Sequence, residues 1–372
     1  MAVAVAIPLA GCAALSPPRI AVPPGPRGLN AVSPEERARY IQAAQVWRPI
    51  DTASLDLFAG PPGDDAFAFE QAVTCDYAPP EKRPEGMTPK FYCELAPKDR
   101  VKVKYGAANR EVYGEVAGTR LFWALGFGTD RQYPVKVSCR NCPPDPWKHP
   151  APATGTVQPF DPAIIERSFP GKDIVVRGSK KGWAWWELSS VDERAGGAPR
   201  AQVDALRLLA AFVQHGDNQD TQQRLACLPD GVQRGADGGE TCTRPFLSTV
   251  DLGGTFSRST LLFIKKVDLE SWSRVPVWKD RRRCIARLSK NLFTGTMANP
   301  RIGEPGRAFL AGLLARLSDR QIHDLFAAAR VERLGGTIKD DHGHRRSATV
   351  DDWVRVFVRK RTEITEARCP GA

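Results

Sequence analysis

Apolar and polar residues alternate along much of the first half of the chain, which predicts strands. Residues 101–105 alternate strictly, so that their apolar side chains share one face and two lysines share the other. Residues 71–77 and 90–95 are rich in aromatic and β-branched residues and look like paired strands. Residues 54–70, around a Gly/Pro turn, and residues 174–188 predict further strands.

Apolar residues recur at helical spacing in the second half, where most of the predicted helices lie. Residues 204–213 carry one broad apolar face, as expected of a buried helix. Ser33 and Pro34 have the composition of a helix start, and Ser318 with Gln321 forms a capping-box candidate. The predicted helices span residues 34–46, 110–125, 204–213, 280–292, 306–317, 318–331 and 350–365.

Two acidic positions follow the helix at residues 204–213. The helix leads into a polar loop with His215 and Asp217, and a later strand at residues 245–250 ends in Asp251 beside Gly253 and Gly254. Phosphoryl transfer requires such a layout, because one carboxylate orients the attacking hydroxyl and another holds a metal ion on the nucleotide phosphates.

This motif order resembles the protein-kinase-like enzymes. His215-Gly-Asp217, with Gln222 five residues after the aspartate, is similar to their catalytic loop, and Asp251-Leu-Gly253 is similar to their metal-binding Asp-Phe-Gly. The nearest resemblance is to secretory-pathway atypical kinases, spore-coat kinases, toxin kinases and phosphoinositide kinases. Gln222 stands where that family has asparagine, so Asn218 is an alternative metal ligand.

The resemblance implies a bilobal α+β fold and an ATP-dependent phosphotransferase that uses Mg²⁺ or Mn²⁺. A strand-rich, nucleotide-binding N-lobe is expected at residues 33–188, and a mostly helical C-lobe with the catalytic and metal-binding loops at residues 189–372. Asp217 would orient the acceptor hydroxyl, and Asp251 with Gln222 would bind metal. His215 is expected to hydrogen-bond the loop backbone near Asp251.

A strand lysine followed by a helix glutamate anchors nucleotide phosphates in kinases, because the carboxylate fixes the position of the ammonium group. Lys104 and Glu115 are the expected pair, since residues 115–127 resemble the glutamate helix of atypical kinases. Lys102 and Glu111 are the alternatives, as each lies on the same predicted strand or helix.

The cysteines and the N-terminus predict export. Leu9-Ala-Gly-Cys12 after an apolar run resembles a bacterial lipoprotein signal, so residues 1–12 are expected to be a signal with lipidation at Cys12, and residues 13–32 a tether. This predicts a membrane-anchored lipoprotein of the cell envelope, periplasmic or on the surface.

Eight cysteines remain after Cys12, an even number that suits disulfides in an oxidising compartment. Each of the pairs Cys75–Cys93 and Cys227–Cys242 flanks a probable hairpin and is predicted to be bridged. Cys139 and Cys142 form a C-x-x-C motif that favours a disulfide in an exported chain. It could also be half of a zinc site, but the sequence offers no matching second half. The partners of Cys139, Cys142, Cys284 and Cys369 stay open.

The formal charge of +11 favours anionic partners. The expected partners are a nucleotide and a hydroxyl acceptor that could be protein, glycan, lipid or small molecule. Membrane contact is expected only through the N-terminal lipid, and nucleic acid is not expected. Two rival functions are a pseudokinase-type binding protein and a structural cell-envelope lipoprotein. The predictions of export and of ATP use conflict, because little ATP is available to a lipoprotein outside the inner membrane.

Overall fold

The computed structural model describes residues 28–81, 86, 88–179, 182–258, 267–339 and 342–370. The predicted signal peptide at residues 1–12, with Cys12, and residues 13–27 of the predicted tether lie outside the described residues. Within the described part the fold is mixed α+β.

The α-helices begin with α1, whose capping box pairs Ser33 with Glu36 and places Pro34 at the first helical position. The predicted capping box of Ser318 and Gln321 at the start of α6 is confirmed. The α-helices are α1 (Pro34–Gln42), α2 (Glu111–Ala124), α3 (Arg200–Phe212), α4 (Leu269–Ser273), α5 (Glu304–Ala315), α6 (Asp319–Ala328) and α7 (Val350–Thr365).

The strands fall into one five-stranded barrel and several small sheets. They are β1 (Gln71–Tyr77), β2 (Lys90–Ala96), β3 (Asp99–Tyr105), β4 (Arg131–Arg140), β5 (Val157–Arg167), β6 (Lys172–Asp173), β7 (Gln223–Cys227), β8 (Val232–Arg234), β9 (Glu240–Cys242), β10 (Pro245–Thr249), β11 (Trp278–Asp280), β12 (Ile285–Ala286), β13 (Thr337–Lys339) and β14 (Arg345–Ser347).

The barrel closes in the order β1-β2-β3-β5-β4. The β1–β4 pair is parallel and the other pairs are antiparallel. Alternate residues of each strand point inward and form an apolar core of aromatic, aliphatic and cysteine side chains. The helix α2 packs against β4 and α6, and so connects the barrel to the helical part of the chain.

A second sheet has the strand order β10-β7-β6, in which β6 precedes α3 in the chain and the other two strands follow it. The helix α3 packs against α5, and α7 packs against both α5 and α6. Large aromatic side chains, among them Phe212, Phe256, Trp272 and Phe326, fill the space between these helices. This second core holds the loops that follow α3 and β10.

Several predicted elements are wrong. Residues 54–70 form turns after a 3₁₀ helix at Thr52–Ser54, because the Arg120 guanidinium takes the carbonyls of Leu57 and Phe58 that a strand would have paired. The stretch predicted as a strand around Trp185 is a 3₁₀ helix, Trp185–Ser189.

The predicted helix at residues 280–292 is also wrong. The chain there makes the short antiparallel pair β11–β12, and Cys284 at the turn has a left-handed backbone (φ 46°) and a disulfide to Cys369. Conversely, β4 and β5 were not predicted from the sequence. These strands contain Pro134, Pro159 and Pro162, which interrupt the expected pattern.

The described residues contain four disulfides. Both predicted pairs, Cys75–Cys93 and Cys227–Cys242, are present, and Cys139 pairs with Cys142. The fourth, Cys284–Cys369, joins residues 85 positions apart. Four disulfides are compatible with an exported protein. Among the described helices, none is both long and apolar enough to cross a membrane.

Candidate functional site

Lys104 on β3 forms a salt bridge with Glu115 on α2. Both side chains are almost completely buried, at 2% and 0% exposure for the residues. The lysine and the glutamate that the sequence predicts as a pair therefore contact each other directly. The alternative glutamate, Glu111, lies one turn earlier on α2, with a carboxylate oxygen 3.6 Å from Lys104 Nζ.

Asp251, which follows β10, lies close to the same ammonium group. Its Oδ1 lies 3.9 Å from Lys104 Nζ, and the same oxygen accepts a hydrogen bond from the Gly253 amide at 3.4 Å. Three carboxylates thus surround one lysine, and the Asp251 side chain keeps 30% of its surface exposed.

Two glycines allow the Asp251 segment to approach α2 so closely. A Cβ on Gly114 would lie 2.6 Å from Val267 Cγ2 and 2.8 Å from the Gly253 carbonyl oxygen. A Cβ on Gly253 would lie 2.6 Å from Glu111 Cγ and 3.0 Å from Glu115 Oε1. Any larger side chain at these positions would separate Asp251 from the Lys104–Glu115 pair. The sequence analysis did not single out Gly114, although glycine inside a predicted helix is a signal of close packing.

Gln222 connects Asp217 to Asp251. Its Nε2 donates to Asp217 Oδ2 at 3.1 Å and to Asp251 Oδ2 at 3.3 Å. The Gln219 side chain donates to the other oxygen of Asp217 at 2.5 Å. The loop after α3 and the end of β10 therefore bring the two predicted carboxylates to one amide group. Gln219 was not among the predicted site residues.

The hydrogen bond predicted from His215 to the loop backbone near Asp251 is absent from the described residues. Its imidazole is fully buried beside the Trp185 ring, and neither ring nitrogen has a hydrogen-bond partner in the part of the chain described. Burial lowers the pKa of His215 to about 4, although the nearby Asp251 opposes the shift. His215 is therefore a neutral side chain packed under the loop that follows α3, and it does not hold the backbone near Asp251.

Both polar atoms of the Asn218 side chain form hydrogen bonds with the backbone. Its Oδ1 accepts from the backbone amides of Thr296 and Met297 at 2.7 and 3.0 Å, and its Nδ2 donates to the carbonyls of His215 and Met297. The side chain is fully buried. Its amide oxygen already has two donors, so Gln222 is the better metal ligand of the two.

Lys102 pairs with Glu166 on β5 at 2.5 Å and not with an α2 glutamate. The buried side chain of Gln132 bridges the two lysine–glutamate pairs, since its Nε2 donates to Glu166 at 3.0 Å and to Glu115 at 3.3 Å. Gln132 lies on β4, a strand that the sequence analysis missed.

A cavity of about 430 Å³ opens beside the Lys102–Glu166 pair. Because strand residues alternate, Lys102 and Lys104 point to the same face of β3, and Lys102 lines the cavity. Its lining is rich in cationic side chains. The lining residues are Asp65, Tyr92, Arg100, Lys102, Arg131, Glu166, Arg167 and Ser168.

The environments of the two aspartates move their pKa values in opposite directions. Burial opposes the charge on Asp251, but Lys104 outweighs it and holds the pKa of Asp251 well below its ordinary value. Burial raises the pKa of Asp217, and the charge of Asp251 adds to the rise while Gln219 opposes it. Asp251 is thus the more acidic of the two carboxyl groups and Asp217 the more basic.

Lys104 keeps its charge for a similar reason. Burial would favour the neutral amine, but Asp251, Glu115 and Glu111 outweigh it and raise the pKa of Lys104 well above its ordinary value. Burial also raises the pKa of Glu115, and Lys104 is the main group that opposes this rise. The ionisation of Glu115 therefore depends on the lysine.

The donor set suits a hard divalent cation. Asp251 offers carboxylate oxygens, and Gln222 Oε1 is buried without a hydrogen-bond partner among the described residues. Oxygen ligands of this kind are the ones that Mg²⁺ and Mn²⁺ prefer. The residues present therefore fit the metal that the sequence predicted.

No protein-family model matches the chain, and the search of curated proteins finds no match. The chain is similar in structure to the Helicobacter pylori proinflammatory kinase CtkA, with 10% sequence identity and a TM-score of 0.36. This similarity covers 78% of the present chain and 99% of the kinase.

Proposed function

We propose that the chain is an ATP-dependent phosphotransferase of the atypical kinase type. The observation that supports this most is the meeting of Lys104, Glu115 and Asp251 at one point, with Gln222 linking Asp251 to Asp217. A buried lysine that is charged and faces an open carboxylate is suited to bind phosphate oxygens and a metal ion together.

In this proposal each side chain has one task. Lys104 binds nucleotide phosphates, and Glu115 with Gln132 keeps the ammonium in place. Asp251 and Gln222 hold Mg²⁺ or Mn²⁺, which when bound would neutralise charge on the phosphates. Asp217 accepts the proton of the acceptor hydroxyl and orients its oxygen, a role that its raised pKa favours.

The nucleotide would extend from Lys104 along β3 toward the cavity beside Lys102. Lys102 is then near the nucleotide and paired with Glu166, whereas Lys104 lies beside the metal-binding Asp251 of this proposal and is therefore the phosphate ligand. The proposal includes a two-lobed arrangement, with the barrel in an N-lobe at residues 33–188 and the helices in a C-lobe at residues 189–372.

Phosphate transfer tests the activity. Purified protein is incubated with γ-labelled ATP and Mn²⁺ or Mg²⁺, and label is measured in the protein, in added hydroxyl acceptors and as free phosphate. The Asp217→Asn variant should lower turnover by about 10²–10⁴-fold. If the wild type transfers no phosphate to any acceptor or to water, the proposed activity is wrong.

A pseudokinase-type binding protein is the second candidate, and Gln222 in place of the family's asparagine is the observation that favours it. Such a protein would bind metal and nucleotide without turnover. A structural lipoprotein, by contrast, would show no nucleotide-dependent thermal stabilisation, with or without Mn²⁺.

The proposal also includes export and lipidation at Cys12, so that ATP or another phosphate donor must reach the protein outside the cytoplasm. Mass spectrometry of protein from membranes should find a lipid-modified Cys12 at the mature N-terminus. A Cys12→Ala variant should lose the modification and the membrane association. An unmodified, uncleaved N-terminus would contradict this part of the proposal.

A further inference from the structure

Two disulfides meet inside the barrel. Cys75 on β1 and Cys139 on β4 are register partners in the parallel pair, and Cys93 lies on the neighbouring strand β2. The sulfur atoms of these three residues all lie within 4.8 Å of one another, and Cys142 is joined to Cys139. All four side chains are fully buried. The structure thus supplies the second half of a zinc site that the C-x-x-C motif lacked in the sequence.

The spacing of the sulfur atoms suits a tetrahedral metal. The Sγ atoms of Cys93 and Cys139, which are not bonded to each other, are 3.7 Å apart. Zinc–sulfur bonds of about 2.3 Å place neighbouring sulfurs of a tetrahedral site about 3.8 Å apart. The two remaining disulfides differ, because no third cysteine lies this close to either of them in the described residues.

The backbone around the cluster is held without the disulfides. Backbone hydrogen bonds of the closed barrel fix β1, β2 and β4. The turn that carries Cys142 is fixed separately, since the Asn141 amide donates to the Thr156 carbonyl at 2.7 Å and Thr156 Oγ1 donates to the Cys142 carbonyl at 2.6 Å. Opening the disulfides therefore leaves the sulfurs of Cys75, Cys93 and Cys139 near one another and keeps Cys142, three residues after Cys139, on its fixed turn beside them.

We infer that Cys75, Cys93, Cys139 and Cys142 form a closed four-thiolate site for zinc when both disulfides are reduced. Two molecules of a dithiol reductant supply four electrons and four protons to the two disulfides, and each is itself oxidised to a disulfide. Zinc then binds the four sulfurs and displaces their four protons. The barrel is thereby cross-linked by disulfides under oxidising conditions and by metal under reducing conditions. This site is independent of the proposed phosphotransfer.

Metal content of the reduced protein tests the inference. The full protein is reduced with a dithiol, freed of the dithiol by anaerobic gel filtration, mixed with zinc chloride and separated from unbound metal. We expect about one zinc ion per chain. Cobalt in place of zinc should give the thiolate-to-metal charge-transfer absorption of a tetrahedral four-sulfur site.

The control is a matched pair of double variants. Cys139→Ser with Cys142→Ser should lose the zinc and the cobalt spectrum, whereas Cys227→Ser with Cys242→Ser should keep both. Near-ultraviolet circular dichroism establishes that each sample is folded. Folded, reduced wild type without zinc would overturn the inference, as would zinc retained by the Cys139/Cys142 variant. Reduced wild type that unfolds and is not refolded by zinc would overturn it too.

Discussion

Gln222 and Asp251 are 29 positions apart in the sequence, and a 3.3 Å hydrogen bond joins their side chains. The same Gln222 nitrogen donates to Asp217 at 3.1 Å, so one amide holds two carboxylates in place. The amide oxygen is left without a hydrogen-bond partner among the described residues. These contacts assign different roles to Gln222 and to Asn218, whose amide is already fully hydrogen-bonded.

The two amides should respond differently to conversion into carboxylates. Gln222→Glu brings a third negative charge to Asp217 and Asp251, so it should destabilise the protein without metal and increase the stabilisation by Mn²⁺. Asn218→Asp places an oxygen against two carbonyls and should cost about 1–3 kcal/mol, which metal does not restore. Thermal unfolding with and without Mn²⁺ measures both. Metal rescue of Asn218→Asp would contradict the structural role of Asn218.

Substitutions of the two lysines of β3 should also differ in their effects. Lys104→Met leaves buried carboxylates without their cation, so it should lower the free energy of unfolding by about 3–5 kcal/mol. It should also weaken nucleotide binding by at least about tenfold, or about 1.4 kcal/mol. Lys102→Met is the matched control, because Lys102 is bound to Glu166 and remains partly exposed. Nucleotide binding that is lost with Lys102→Met and kept with Lys104→Met would assign the phosphate contact to Lys102.

Gly114 should resist a substitution that usually stabilises helices. Alanine is the better helix former by about 1 kcal/mol, but its Cβ would enter the Gly253 backbone and Val267. Gly114→Ala should therefore destabilise the protein by about 1–3 kcal/mol and weaken nucleotide binding. Gly312→Ala on α5 is the control, since nothing lies within 4 Å of the added Cβ, and it should stabilise the protein. Denaturant unfolding compares the two, and equal shifts in the same direction would contradict the packing argument.

His215 should contribute to the loss of stability in acid. Its folded-state pKa of about 4 lies below the unfolded value of about 6.5. The unfolded state therefore binds the proton first, so this stability is complete above about pH 6.5 and is lost as the pH falls toward 4. The loss should amount to about 3 kcal/mol.

Unfolding of a His215→Phe variant between pH 7 and pH 4 measures this contribution. The variant should lose less stability than the wild type over that range, whereas His323→Phe, at an exposed position, should behave like the wild type. An unchanged pH dependence in His215→Phe would show that the imidazole does not titrate with unfolding.

The sequence was a good guide where local pattern and function coincide. The strict alternation around Lys104 identified β3, and the apolar period and the Ser318 cap identified α6 and its neighbours. The order of lysine, glutamate and the two aspartates led to side chains that the fold brings together. Strands and contacts that depend on distant parts of the chain were harder to predict. Pro134, Pro159 and Pro162 obscured two central strands, and Gln132, which bridges Glu115 and Glu166, lies on one of them.

Other predictions from the sequence were wrong because they depend on contacts between residues far apart in the chain, which a local pattern does not reveal. The stretch after Leu55 reads as strands, but the buried guanidinium of Arg120 supplies its hydrogen bonds. Whether Asn218 or Gln222 suits a metal was decided by the backbone of residues 296 and 297, which are distant in sequence. The packing of Cys75 and Cys93 against Cys139 depends on a parallel pairing that only the closed barrel produces.

Metal-dependent nucleotide affinity tests the central claim most directly. Titration calorimetry with ATP, with and without Mn²⁺, would be compared for the wild type, Asp251→Asn and Asp217→Asn. We expect the wild type to bind ATP with Mn²⁺ and much more weakly without it. Asp251→Asn should lose at least about tenfold in affinity, or about 1.4 kcal/mol, whereas Asp217→Asn should keep its affinity. No metal-dependent binding by the wild type, or equal and negligible effects of both substitutions, would contradict the assignment of this site.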